Sequence, residues 1–187
     1  MAATRPGRLF YLVGPSGSGK DTLLNCLKQH SYSVRQPLVA HRYITRAVTT
    51  DGENHIELSD AGFERRRADG LFLFDWESHG YRYAVGVEVV DWLARGFHVI
   101  MNGSREYLPK AREIRPDLEV VWLRVSDDVL RRRLLDRGRE SVAQIDARIN
   151  RNHALEQDRP PDCRVVSNDS DPEQTVATLL RELSIDN

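Results

Sequence analysis

The segment GPSGSGK at residues 14–20 has the residue types and the spacing of a loop that binds phosphate. It follows a short apolar run at residues 9–13 and precedes a stretch with leucines at helical spacing. Glycines let consecutive backbone N–H groups curve around phosphate oxygens, and the N-terminus of the next helix attracts anions. Lys20 is expected to reach the β- and γ-phosphates of a nucleoside triphosphate. A glycine-rich turn without a ligand is the alternative interpretation.

The residue after this lysine departs from the motif. A serine or threonine is expected there, because its hydroxyl binds magnesium, but the chain has Asp21 followed by Thr22. A carboxylate beside a triphosphate repels it unless a cation lies between them. We therefore predict that Asp21 holds Mg²⁺ directly or through water. The alternative is that Asp21 only caps the N-terminus of the helix.

Arginine dominates the basic residues, since only three of the 27 are lysines. A GC-rich genome is one explanation of this bias, and a compatible functional one is that the guanidinium fork suits phosphate oxygens. A kinase that phosphorylates a phosphate needs cations on the donor, the transferring group and the acceptor. The arginines that we predict to serve such a site are Arg42, Arg46, Arg105, Arg137, Arg139 and Arg148. A solvated helix face is the alternative for each of them, and the better interpretation for Arg131 and Arg132.

Composition and length indicate one globular domain of 187 residues, with 40% hydrophobic and 29% charged residues. The formal net charge of −1 excludes a globally basic nucleic-acid binder. Two cysteines make no disulfide framework and indicate a reducing compartment. No apolar run approaches the ~20 residues of a membrane helix, and the N-terminal MAATRPGRLFYLVG is interpreted as a first strand and not as a signal peptide. We expect a cytoplasmic protein with no nucleic-acid or membrane partner.

Strand-like and helix-like segments alternate along the chain. Apolar runs predict strands at residues 9–13, 38–44, 97–101, 120–125 and 163–166, and an alternating pattern predicts a strand or hairpin at 80–87. Helical spacing and capping residues predict helices at 21–29, 59–69, 89–95, 126–137, 141–157 and 171–183. This order predicts an α/β fold with a mostly parallel sheet.

Two segments interrupt this alternation. The region from about residue 45 to 87 is richer in turns and polar residues, and we interpret it as a small inserted lobe over the substrate site. The arginine-dense stretch within about 136–148 is predicted to form a mobile lid. Gly138 favours a turn there that aims Arg137 and Arg139 inward, and Arg148 follows on the next helix.

The chain resembles the guanylate kinase family in GPSGSGK, in the TR pair ending at Arg46, around Tyr83, and in LRRRLLDRGRE followed by a helix with IDARI. The resemblance covers nearly the whole chain. It implies a P-loop NTPase fold, a three-layer sandwich, with ATP as phosphoryl donor and Mg²⁺. The ATP-binding residues it implies are Gly14, Pro15, Ser16, Gly17, Ser18, Gly19, Lys20, Asp21 and Thr22. It implies that Arg137, Arg139 and Arg148 act with Lys20 as catalytic residues on the transferring phosphoryl group.

The departures from that family lie in the acceptor half. Thr49 stands where the family has a second acceptor arginine, Arg42 where it has a serine, and His55 where it has a tyrosine. The segment MNGS at residues 101–104 replaces another family motif, and the base-reading glutamate falls near Asp75 or Glu77. A flat base is therefore not the expected acceptor.

The segments AHRYITR, ENHI, YAVGVE, NGSR and RGRE together resemble a bacterial branch of the family. That resemblance implies transfer of the γ-phosphoryl of ATP to the 1-phosphate of ribose 1,5-bisphosphate, giving 5-phosphoribosyl 1-diphosphate in phosphonate catabolism. The substrate-binding residues it suggests are Arg42, Arg46, His55, Tyr83, Asn102 and Arg105. For His55 a solvated turn is the alternative, and for Tyr83 packing on the sheet.

Two other functions compete with this one. A guanylate kinase converting GMP to GDP is the nearer alternative, and the acceptor-half departures argue against it. A non-catalytic binding module of the same fold is the other, but Lys20 and the lid arginines are all present. We expect Trp76 and Trp92 to be core residues, and Asn168 and Asp169 to lie near the adenine.

Overall fold

A computed structural model describes residues 5–29, 36–47, 54–138 and 140–185. In chain order its elements are β1 (Leu9–Val13), α1 (Lys20–Gln29), β2 (Leu38–Val39), β3 (Arg42–Ile44), β4 (His55–Glu57), α2 (Asp60–Ala68), β5 (Phe72–Ser78), β6 (Tyr81–Gly86), α3 (Glu88–Ala94), β7 (Val99–Asn102), α4 (Leu108–Ile114), β8 (Glu119–Arg124), α5 (Asp127–Arg137), α6 (Val142–Gln157), β9 (Arg164–Ser167) and α7 (Pro172–Glu182). Among the residues described, no helix is long and apolar enough to cross a membrane.

The main sheet has five parallel strands in the order β2-β7-β1-β8-β9, with the first strand at its centre. Strand β1 is fully buried because both of its faces are covered by helices. Leu9, Tyr11 and Val13 face one apolar cluster, whereas Phe10 and Leu12 face the other. This alternation places the sheet between two layers and confirms the predicted α/β three-layer fold.

Different helices cover the two faces of the main sheet. Val89 and Leu93 of α3 and Ala111 of α4 pack on one face. Leu23 and Leu27 of α1, with the apolar side of α7, pack on the other. Helix α4 was not among the sequence-based predictions, because its segment LPKAREI is short and has a proline at its start.

A second sheet of four strands follows the order β4-β3-β6-β5 and spans residues 42–86. Strands β5 and β6 form an antiparallel hairpin, and β3 pairs antiparallel with β6 and parallel with β4. The prediction of one strand over 38–44 is wrong, because the chain changes sheets within it. The Ala40 N–H still donates to Ile100 O in the main sheet, whereas the Arg42 N–H donates to Asn54 O beside β4.

Helices α5 and α6 form a hairpin with a small core of its own, built from Leu130, Leu134, Ile145 and Ile149. The predicted bounds of these helices are confirmed to within a residue. Helix α5 ends at Gly138, whose φ of 62° is the left-handed conformation that glycine adopts freely. Helix α6 begins after Ser141, which forms a capping box with Gln144.

Candidate active site

The phosphate loop, residues 14–20, leaves the carboxyl end of the central strand β1 and enters α1. Gly17 and Gly19 both have φ of 86°. A Cβ at Gly19 would lie 2.8 Å from Asn168 Nδ2, and one at Gly14 would lie 2.6 Å from the Leu123 carbonyl oxygen. The loop therefore needs glycine at these positions for backbone conformation and for space.

The Lys20 ammonium group lies inside this loop. Its Nζ donates hydrogen bonds of 2.9 Å to the carbonyl oxygens of Gly14 and Pro15. Burial lowers the pKa of Lys20 to about 8, with smaller contributions from the Arg105 and Arg42 charges, while Asp21 opposes them. Cations thus gather around Lys20, and a bound polyanion would offset their mutual repulsion.

Asp21, in the first turn of α1, faces the second sheet. Its Oδ1 accepts hydrogen bonds from Arg42 Nη2 at 3.1 Å and from Asn102 Nδ2 at 2.7 Å. Its Oδ2 has no hydrogen bond to any residue that the structure describes, and the side chain is half-exposed. Within the described ranges, no group of three or more His, Cys, Asp or Glu residues can hold a metal ion. A cation here would therefore rely on one carboxylate together with oxygens of a ligand.

Three predicted acceptor residues lie near Lys20. Arg42 is the first residue of β3 and Asn102 the last of β7, and both are buried, at 9% and 4% exposure. Arg105 follows β7 and is partly buried, which lowers the pKa of its guanidinium. Parallel strands present their carboxyl ends at one edge, so β1 and β7 bring Lys20 and Asn102 together, and the start of β3 adds Arg42.

The other predicted acceptor residues lie along the second sheet. Tyr83 is buried and stacks on Trp76, with ring centroids 5.6 Å apart and planes 10° apart. The Arg42 guanidinium lies 5.8 Å from the Tyr83 ring centroid, and His55 pairs with Arg42 in the β3–β4 register. Arg46 lies further along, with its guanidinium 5.7 Å from the Tyr81 ring centroid. The surroundings of Arg42 thus include Tyr83 and His55.

The three arginines that the sequence predicts for a lid have different placements. Arg148 of α6 donates from Nη1 to Ser16 Oγ at 2.9 Å and from Nη2 to Glu140 Oε1 at 2.5 Å, so it contacts the phosphate loop. Arg137 is exposed and lines a cavity of about 380 Å³ beside the loop. Arg139 lies outside the described residues.

Arg133 was not among the predicted site residues, but it lines the same cavity as Arg137. Its Nη2 donates to Ser170 O at 3.5 Å, and burial lowers the pKa of its guanidinium. Helical spacing was the available signal, because residues four apart share one face and Arg133 lies one turn before Arg137. Asn168 also lines the cavity and donates from Nδ2 to Ser18 O at 2.5 Å, which ties β9 to the phosphate loop.

The chain is similar in sequence to several bacterial proteins that share one name. No family model matches the chain. A protein of Thiobacillus denitrificans named ribose 1,5-bisphosphate phosphokinase PhnN is 44% identical over 180 residues, covering 95% of this chain and 93% of the relative. A protein of Yersinia pestis with the same name is 44% identical over 180 residues, covering 96% and 92%. One of Dickeya zeae is 48% identical over 170 residues, covering 90% and 89%.

Among solved structures, a guanylate kinase from Anaplasma phagocytophilum superposes with a TM-score of 0.67 and covers 96% of this chain and 86% of its own. Its sequence identity of 18% supports a common fold only.

Proposed function

The chain belongs to the ribose 1,5-bisphosphate phosphokinase family, and we propose on that premise that it transfers the γ-phosphoryl group of ATP to the 1-phosphate of ribose 1,5-bisphosphate. The products are ADP and 5-phosphoribosyl 1-diphosphate, a step of phosphonate catabolism. The observation that carries the proposal is 44% identity to relatives of that name over nearly the full length of both chains. We place the reaction in the bacterial cytoplasm, where its donor ATP is available.

The donor site in this proposal is the phosphate loop with Asp21 and Thr22. Backbone N–H groups of the loop and the Lys20 ammonium would hold the β- and γ-phosphates. The cavity beside the loop, lined by Arg133, Arg137 and Asn168, would take the nucleoside end of ATP. Its size of about 380 Å³ is within the range of small-molecule sites.

Magnesium fits the oxygen chemistry of this site. Asp21 offers the carboxylate Oδ2, which is free of hydrogen bonds to described residues, at the place where the motif has a hydroxyl. A hard cation bound by one carboxylate and the phosphates of ATP would neutralise charge on those phosphates. Asp21 is thus our proposed ligand, through that oxygen or through water.

The reaction needs positioning and charge more than proton transfer. An oxygen of the acceptor 1-phosphate attacks the γ-phosphorus, the bond from that phosphorus to the β–γ bridging oxygen breaks, and the electron pair leaves with ADP. The attacking oxygen is already ionised near neutral pH, so no general base is required. Lys20, Arg148 and the lid arginines Arg137 and Arg139 would stabilise the charge on the transferring group.

The acceptor site in this proposal lies between the phosphate loop and the second sheet. Arg42 and Arg105 lie close enough to Lys20 to lower its pKa, which suits them to the phosphate that reacts. Arg46, His55, Tyr83 and Asn102 would hold the ribose and its other phosphate. We propose that the acceptor lobe is residues about 45–87 and the lid about 136–148.

A steady-state assay of ADP release tests the proposal, with ATP, Mg²⁺ and either ribose 1,5-bisphosphate or GMP. We expect ribose 1,5-bisphosphate to be preferred by a factor of at least about 100 in kcat/KM, because the cations around Lys20 suit a doubly phosphorylated sugar. A preference for GMP would identify a guanylate kinase instead. A protein that releases no ADP with either acceptor would favour the non-catalytic module.

A further inference from the structure

We propose that Asp21 is a positioning residue for the acceptor. Its carboxylate fixes the orientation of Arg42 and Asn102 and so couples the phosphate loop to the acceptor site. This role is separate from any contact of Asp21 with magnesium, and it gives a reason for the aspartate where the motif has a hydroxyl. The inference rests on the proposed function for the identity of the acceptor.

The first support is the geometry around Asp21 Oδ1. Donors from two other elements converge on this one atom, Arg42 Nη2 at 3.1 Å and Asn102 Nδ2 at 2.7 Å. Arg42 begins the second sheet and Asn102 ends a strand of the main sheet, while Asp21 lies one residue after the phosphate-loop lysine. The carboxylate therefore joins the donor loop to both sheets.

The second support is burial. Arg42 is 9% and Asn102 4% exposed, so neither side chain can replace a lost acceptor with bulk water at little cost. Asn102 Oδ1 is buried without a hydrogen-bond partner among the described residues, which leaves the contact of Nδ2 with Asp21 to orient its amide.

The third support is charge. The Arg42 and Arg105 guanidinium groups lie close enough to the Lys20 ammonium to lower its pKa, and Asp21 opposes their effect. A carboxylate within this cluster holds the Arg42 cation in place before an anion arrives. A serine in its place would have no charge, and its hydroxyl oxygen lies one bond closer to the backbone. A serine at position 21 would therefore not accept the 3.1 Å hydrogen bond that Arg42 Nη2 donates to Asp21.

The variant Asp21→Ser separates the two roles, because it restores the magnesium-binding hydroxyl of the motif and removes the contact with Arg42. We expect the KM for ribose 1,5-bisphosphate to rise about tenfold, as for the loss of one charged hydrogen bond. The KM for ATP and the half-saturating Mg²⁺ concentration should change less than about twofold. Asp21→Asn keeps an acceptor oxygen without the charge and should give an intermediate acceptor KM. Gln29→Ala, at the exposed end of the same helix, is the matched control and should match the wild type.

A double-mutant cycle with Arg42→Lys completes the test, and Asp21→Asn takes the place of Asp21→Ser in the cycle if Asp21→Ser does not fold. The two changes should be non-additive, with the double variant no worse than about twofold relative to the poorer single one. Full additivity, or an Asp21→Ser variant with raised Mg²⁺ requirement and unchanged acceptor KM, would overturn the inference. If wild-type protein does not use ribose 1,5-bisphosphate, the proposed function fails by itself. The cycle is then measured on whichever phosphorylated acceptor the wild type does use.

Discussion

Arg148 Nη1 donates a 2.9 Å hydrogen bond to the hydroxyl oxygen of Ser16, although 132 positions separate the two residues in the chain. The contact brings α6 against the phosphate loop. The other nitrogen of the same guanidinium, Nη2, is held by Glu140 at 2.5 Å. A guanidinium placed in this way can exchange the Glu140 carboxylate for the phosphates of ATP.

Replacing Arg148 by alanine should lower kcat about 100-fold, because one preorganised cation on the transferring group is lost. Arg148→Lys should recover part of the rate, since it restores the charge but not the fork. Arg151, exposed on the same helix, provides the control, and Arg151→Ala should retain wild-type kinetics. Equal effects of the two alanine variants would show that Arg148 has no special role.

Because of Lys20, kcat/KM for ATP should decrease at alkaline pH. Burial lowers its pKa to about 8, so the ammonium is mostly charged at pH 7 and mostly neutral at pH 9 in the free protein. Only the charged form attracts phosphate, so kcat/KM for ATP should fall as the pH rises through about 8. The profile is measured with ATP as the varied substrate, because that parameter reports groups of the free enzyme.

The variant Lys20→Arg supplies the comparison for this profile. Its guanidinium stays charged throughout, so the alkaline fall should move above pH 10 even though the maximal rate is lower. A wild-type profile that is flat to pH 9.5 would contradict the placement of Lys20.

Gly19 and Gly80 allow a matched test of the phosphate loop. Both have positive φ, 86° and 78°, but a Cβ at Gly19 would meet Asn168 Nδ2 at 2.8 Å, whereas one at Gly80 would meet no atom within 4 Å. Gly80→Ala should lower the free energy of unfolding by about 1 kcal/mol and leave the kinetics unchanged. Gly19→Ala should in addition weaken ATP binding at least about tenfold, as measured by calorimetry. Wild-type ATP affinity in Gly19→Ala would show that the loop tolerates a side chain there.

Much of the fold was predictable because its signals are local. Each of these signals depends on a few neighbouring residues: the apolar run before the phosphate loop, the helix end at Gly138 and the helix N-cap at Ser141. The structure confirms the strand and the helices that they predict. The split of residues 38–44 between two sheets was not predictable. An apolar pattern indicates that a strand is buried but not which sheet it joins.

The geometry of the candidate site was less predictable than its members. Asp21, Arg42 and Asn102 lie far apart in the sequence and meet only because β1, β3 and β7 place their ends together. The sequence predicted that Asp21 holds Mg²⁺ but did not predict its contact with Arg42. Local sequence does not show which distant side chain will reach a carboxylate. Arg133 was missed for a different reason, namely that a run of three arginines hides which one faces inward.

The most direct test of the central claim is ³¹P NMR of a mixture of the wild-type protein, ATP, Mg²⁺ and ribose 1,5-bisphosphate. We predict that the signal of the sugar 1-phosphate disappears as a pair of diphosphate resonances from 5-phosphoribosyl 1-diphosphate grows in equal amount with ADP. The 5-phosphate signal should persist as a monophosphate. An unchanged sugar 1-phosphate signal, or a diphosphate formed at the 5-position, would contradict the account.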